Sequence, residues 1–122
     1  MIGEEISAAL RELVRREDGS WYAKLPFEPG FTGFCGHFDG NPVVPGVCLL
    51  VAVEAIASAA WSRKLQVAEV VRAKFTAVIQ PGETAEFQFA GDADSLLADA
   101  TVAVVGKGTV GKLRLRLEEC RG

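Results

Sequence analysis

Histidine occurs once in this 122-residue chain and cysteine three times, and no uninterrupted apolar run reaches the ~18 residues a membrane-spanning helix needs. The cysteines (Cys35, Cys48, Cys120) are odd in number and lack C-x-x-C spacing, so neither a disulfide framework nor a zinc site is indicated. Cys35 lies close to His37, but those two ligands do not complete a metal shell, and no metal or other cofactor is expected. Positive charge is in deficit, with 13 Lys and Arg against 16 Asp and Glu, so nucleic acid is not an expected partner. The opening residues Met1-Ile2-Gly3-Glu4-Glu5 are acidic where a secretory signal would be basic. These shortages point to a cytoplasmic protein with no membrane partner.

A hydrophobic fraction of 49% with 24% charged residues fits a packed domain, and the length predicts one domain over 1–122. A domain of this size buries only about two thirds of its unfolded surface, so a large apolar face left open favours a partner subunit. Residues 2–10 read as a short helix with Ile6, Ala9, Leu10 and Leu13 on one side. Strands are expected at 13–16 and 20–25, around the hairpin signal Glu17-Asp18-Gly19. Residues 26–45 form a long loop with four glycines and four prolines, a length that usually signals function. Residues 46–63 read as one helix, apolar nearly all round and therefore buried on several sides, with Glu54 its only acid. Strand patterns follow at 67–79, 84–89, 97–105 and 110–117, separated by Gln80-Pro81-Gly82 and Gly106-Lys107-Gly108. The pattern is α+β, and a curved antiparallel sheet of meandering strands wrapped around the long helix buries it most simply.

The chemistry concentrates in Gly36-His37-Phe38-Asp39-Gly40-Asn41-Pro42-Val43-Val44-Pro45-Gly46-Val47. Histidine suits proton transfer near neutral pH, and the glycines and prolines restrict where the backbone can put it. Gly46 and Val47 open the long helix, whose first N–H groups have no internal partners and sit at the positive end of its dipole. Such groups suit a carbonyl oxygen that becomes negative, as a thioester oxygen does when its α-proton is removed. The plainer alternative is that His37 hydrogen-bonds backbone and stabilises the loop.

The whole segment resembles the active-site stretch of bacterial 3-hydroxyacyl-ACP dehydratases, H-F-x-G-x-P-x-x-P-G-V. The similarity continues more weakly through Arg72-Ala73-Lys74-Phe75 and Gln80-Pro81-Gly82-Glu83. It implies the hotdog fold, an assembly of two subunits or a higher even number, and removal of water from a 3-hydroxyacyl thioester of ACP or coenzyme A in fatty-acid or related lipid synthesis. It further implies His37 as the base at C2, the Gly46 amide on the thioester oxygen, and Phe38, Val47 and Val51 in contact with substrate.

The chain departs from the family where a helix Glu or Asp normally helps the C3 hydroxyl leave: that position is Val51, which cannot transfer a proton. Glu54 lies nearly one turn further on, ~4.5 Å along the axis. It either takes over as proton donor or makes a structural bond. The alternatives are a dehydratase using Glu54, a non-catalytic homologue that binds acyl-ACP or pairs with an active subunit, and a thioesterase. Cys48, in the first turn where a helix dipole lowers a thiol pKa, is either a nucleophile beside His37 or a buried spectator. Asp39 is expected to cap its own turn. Lys112, Arg114 and Arg116 form a basic strand face, either solvated or a dock for an acidic carrier protein.

Overall fold

The computed structural model describes residues 2–31 and 43–120. His37, Phe38, Cys35 and Asp39 lie outside the described residues.

Helix α1 (Ile2–Ala9) leads into β1 (Arg11–Arg15) and β2 (Trp21–Pro26), the expected hairpin. Its turn is closed by Asp18, whose carboxylate accepts from the Ser20 amide (2.9 Å) and hydroxyl (2.6 Å), with Gly19 at φ 87°. The Ser20 hydroxyl bond is the main reason the Asp18 pKa falls below its ordinary value.

Helix α2 (Gly46–Trp61) carries alanine at 52, 55, 57, 59 and 60, which favours helix and keeps it slim. It stops at Ser62, which adopts the left-handed conformation at φ 52° and turns the chain into the sheet. Strands β3 (Leu65–Phe75), β4 (Thr84–Asp92), β5 (Leu97–Val104) and β6 (Gly108–Glu119) complete an antiparallel sheet ordered β1-β2-β4-β5-β6-β3. This curved sheet with one long helix packed against it is the architecture expected from the sequence.

The period-two patterns set the inner face. Phe87 and Phe89 of β4, Val102 of β5, and Leu113 and Leu115 of β6 are buried together with Leu49, Val53 and Ile56 of α2. Full burial of each such side chain is worth about 1.5–3 kcal/mol. Alternate residues of β6, Lys112, Arg114 and Arg116, stand on the outer face.

The structure corrects the sequence reading in two places. The strands after α2 do not all meander: β4, β5 and β6 do, but β3 pairs with β6 at the far edge. Alternation fixes which face a residue takes, not which strand lies beside it. The strand expected over 67–79 ends at Phe75; Ile79 is buried, and its carbonyl accepts from the Val44 amide (2.8 Å) beside the start of α2. Helix α2 is packed by the sheet and by α1, in line with burial on several sides, though not on every side. Its sheet-facing side is buried, whereas Val47 is 60% exposed and Leu50 and Val51 are only partly covered.

Among the described residues, no helix is long and apolar enough to cross a membrane.

Candidate active site

The start of α2 is built from three local features. Pro45 is extended (φ −63°, ψ 145°), and its carbonyl accepts from the Cys48 amide at 2.9 Å, turning the chain into the helix. Gly46 and Val47 follow, and their N–H groups have no acceptor within α2, as at any helix start. The Phe75 ring lies directly against Gly46: a Cβ placed there would stand 2.9 Å from the ring edge. On the other side, a Cβ at Gly111 would be 3.1 Å from the same ring. Phe75 therefore occupies a slot between two glycines, which explains why a side chain at Gly46 would disturb the helix start. Nothing in the local sequence of the loop points to this contact, because Phe75 lies a strand away.

Val51 and Glu54 both line a broad groove of about 1140 Å3 between α2 and α1, together with Ala55, Gly3, Ser7 and Leu10. Glu54 is not loose in that groove. Its Oε2 accepts the Val67 amide at 2.6 Å, where β3 bulges against β6 between Val67 and Glu69. One turn further on, the Ser58 hydroxyl accepts the Leu65 amide at 3.1 Å. Two side chains on one stripe of α2 thus satisfy alternate amides at the start of β3 and fasten helix to strand. The bond from Glu54 to Val67 supplies the structural partner that the sequence leaves open, since that partner is set by how the sheet folds back.

Cys48 is buried, and burial pushes its thiol pKa up, with the Glu5 carboxylate adding to the effect. The lowering anticipated from the helix dipole is overridden by loss of solvation, so the thiol is held in the unreactive form. Among the described residues, no group of three or more His, Cys, Asp or Glu side chains is arranged to hold a metal.

The described part of the site is thus a glycine-opened helix start beneath an aromatic ring, beside a largely apolar groove whose lining includes the carboxylates of Glu54 and Glu4. Comparison with solved structures identifies the fold. The chain resembles a structure of the dehydratase heterocomplex ApeI:P from Xenorhabdus doucetiae (TM-score 0.74, 21% identity, 92% of this chain and 94% of that one). It similarly matches an uncharacterized protein from Erwinia carotovora subsp. atroseptica (TM-score 0.74, 20% identity, 90% and 92%). The dehydratase domain of the polyketide protein PpsC from Mycobacterium tuberculosis also matches (TM-score 0.68, 15% identity, 93% of this chain and 45% of that one). The fold is the dehydratase-like hotdog fold. The ApeI-like family model, described as ApeI dehydratase, matches residues 13–105, and the chain belongs to that family. No curated protein matches it in sequence.

Proposed function

We propose that the chain is a hydro-lyase that removes water from a 3-hydroxyacyl thioester, carried on acyl carrier protein or coenzyme A, in fatty-acid or related lipid synthesis in the cytoplasm. Family membership over residues 13–105 is the observation that carries this reading. The open amides at the Gly46 end of α2 support it.

In this mechanism His37 takes the C2 proton. Charge moves to the thioester oxygen, where the Gly46 N–H donates to it. The C3–O bond then breaks, the hydroxyl leaves as water with a proton from Glu54, and a 2-enoyl thioester remains. Phe38, Val47 and Val51 supply apolar contact to the acyl chain. No cofactor takes part.

The protein acts as one domain over residues 1–122 and as a homodimer or higher even oligomer. Two features of the fold favour this assembly. Val47 of α2 is open to solvent. Among the described residues, helix side chains cap edge strand β3 at Leu65 and Val67, while Val70, Val71 and Phe75 are exposed beyond them.

A second reading has its own support. The Glu54 carboxylate is engaged by the Val67 amide, and the resemblance noted in the sequence implies Val51 at the dehydratases' acid position. On that reading the chain is a non-catalytic subunit that binds acyl-ACP or pairs with an active dehydratase. Val51→Glu separates the two. It creates or greatly raises dehydration if the natural site lacks its acid. If Glu54 already serves, it adds little, and Glu54→Gln abolishes turnover.

A further inference from the structure

Helix α1 packs on α2 at Val51. A Cβ built on Gly3 would stand 3.9 Å from the Cγ1 of Val51, so the bare backbone of α1 comes close to that valine. The next residue, Glu4, lines the same groove as Val51 and Glu54. Val51 matches, by resemblance, the position where the dehydratases carry their acid. It therefore has two carboxylate neighbours around one groove: Glu54 nearly a turn further along α2, and Glu4 on the adjoining helix.

The two carboxylates are held differently. Glu54 is half-buried, and its Oε2 accepts the Val67 amide at 2.6 Å. Glu4 is exposed, and among the described residues its carboxylate has no hydrogen bond or ion pair. Glu4 and Glu5 both sit in the first turn of α1, where acids complement the helix dipole. That shared role does not decide which cavity each one lines. Glu5 lines a separate cavity of about 260 Å3 with Ile6, Leu25 and Phe27, whereas Glu4 lines the groove at Val51.

We propose that Glu4 is a further catalytic carboxylate, accepting a hydrogen bond from the substrate's C3 hydroxyl while Glu54 donates to the same oxygen; this rests on the dehydratase reading above. Loss of water gives each partner a task. As the C2–H electron pair becomes the second bond between C2 and C3, the C3–O bond breaks with its own pair, and the oxygen takes the proton from Glu54. The hydroxyl's own hydrogen stays on that oxygen and becomes more acidic as water forms. An ionised carboxylate only accepts, and a hydrogen bond to it is about twice as strong as one between neutral groups. The bond to Glu4 thus tightens in the transition state, which is the condition for raising kcat and not merely for binding. Among the described residues lining the groove, Glu4 and Glu54 are the carboxylates available to that hydroxyl.

The test compares wild type, Glu4→Ala and Glu4→Gln on a 3-hydroxybutyryl thioester, with the butyryl thioester, which has no hydroxyl, as a competitive inhibitor. Glu4→Ala should lower kcat about tenfold or more with KM changed far less. Glu4→Gln keeps an acceptor but not the charge, and its rate should fall between Glu4→Ala and wild type. Affinity for the butyryl thioester should stay as in wild type, since that molecule offers Glu4 no hydroxyl, and Tm should hold because the side chain is exposed. Butyryl affinity or Tm falling in step with the rate would assign the effect to the packing of α1 on Val51 and overturn the proposal. Dehydration by wild type with an equally fast Glu4→Ala variant would overturn this inference alone. No dehydration by wild type on any carrier would overturn the dehydratase reading together with it.

Discussion

Glu54 is where stability and catalysis can be pulled apart. Its Oε2 accepts the Val67 amide at 2.6 Å in a half-buried position between α2 and the β3 bulge. Glu54→Ala removes the acceptor and leaves that amide to whatever water reaches it. Leaving a half-buried donor without its acceptor costs about 1–3 kcal/mol, and partial exposure brings the expected loss to about 1–2 kcal/mol. For a chain of this length that lowers Tm by roughly 3–10 °C. Glu54→Gln keeps a carbonyl oxygen in the same place and should retain most of the stability, although its amide cannot supply the proton. The expected outcome is a destabilised Ala variant with faster hydrogen exchange at Val67, and a Gln variant that is folded but inactive. Thermal unfolding with amide exchange, read beside dehydration rates, checks both halves. An Ala variant with unchanged Tm and unchanged protection at Val67 would refute the helix-to-strand fastening. A fully active Gln variant would refute Glu54 as proton donor.

Other outcomes follow from the same contacts. Gly46→Ala brings a Cβ to 2.9 Å from the Phe75 ring and should cost about 1–3 kcal/mol; in a Phe75→Ala background the cost should shrink, which a double-mutant cycle in urea measures. Glu83 accepts from Lys107 at 2.8 Å, and that bond chiefly holds its pKa below the ordinary value of 4.5. A depressed folded-state pKa contributes stability that is present above the unfolded value and lost as pH falls through the folded one. Glu83→Gln should therefore be less stable than wild type at neutral pH, with the difference closing as pH drops below about 4.5 in acid titrations of stability. Assembly through the β3 edge predicts a dimer or larger even oligomer in sedimentation at micromolar concentration, which Val71→Pro, by placing a non-donating residue on that edge, should weaken; a stable wild-type monomer would contradict it.

What could be read in advance follows a physical line. Local signals were legible: the Asp18-Gly19 turn, the alanine-rich α2 and the alternation of Phe87 with Gln88 or Leu113 with Arg114 each depend on residues close in sequence. The antiparallel sheet around one helix followed from those signals because few other arrangements bury such a helix. The place of β3 was not legible, since its alternation would serve equally beside β4 or beside β6. Its early end at Phe75 was hidden for a related reason: Ile79 is as apolar as a strand residue but pairs with Val44 near the helix start. At the site, Gly46 could be recognised as the opening of a helix, but its need to lack a side chain comes from Phe75. The bond from Glu54 to Val67 and the opposed pairs Arg72–Arg114 and Lys74–Lys112 likewise depend on register, which appears only once the strands are paired.

The central claim is that this chain dehydrates 3-hydroxyacyl thioesters with His37 as the base. Formation of the 2-enoyl thioester, followed with 3-hydroxybutyryl substrates on wild type and on His37→Ala, tests it most directly. The account predicts turnover by wild type and a loss of about 10² or more in the Ala variant with the fold intact. An Ala variant that dehydrates substrate as fast as wild type, or a wild type inactive on every such thioester, would contradict it.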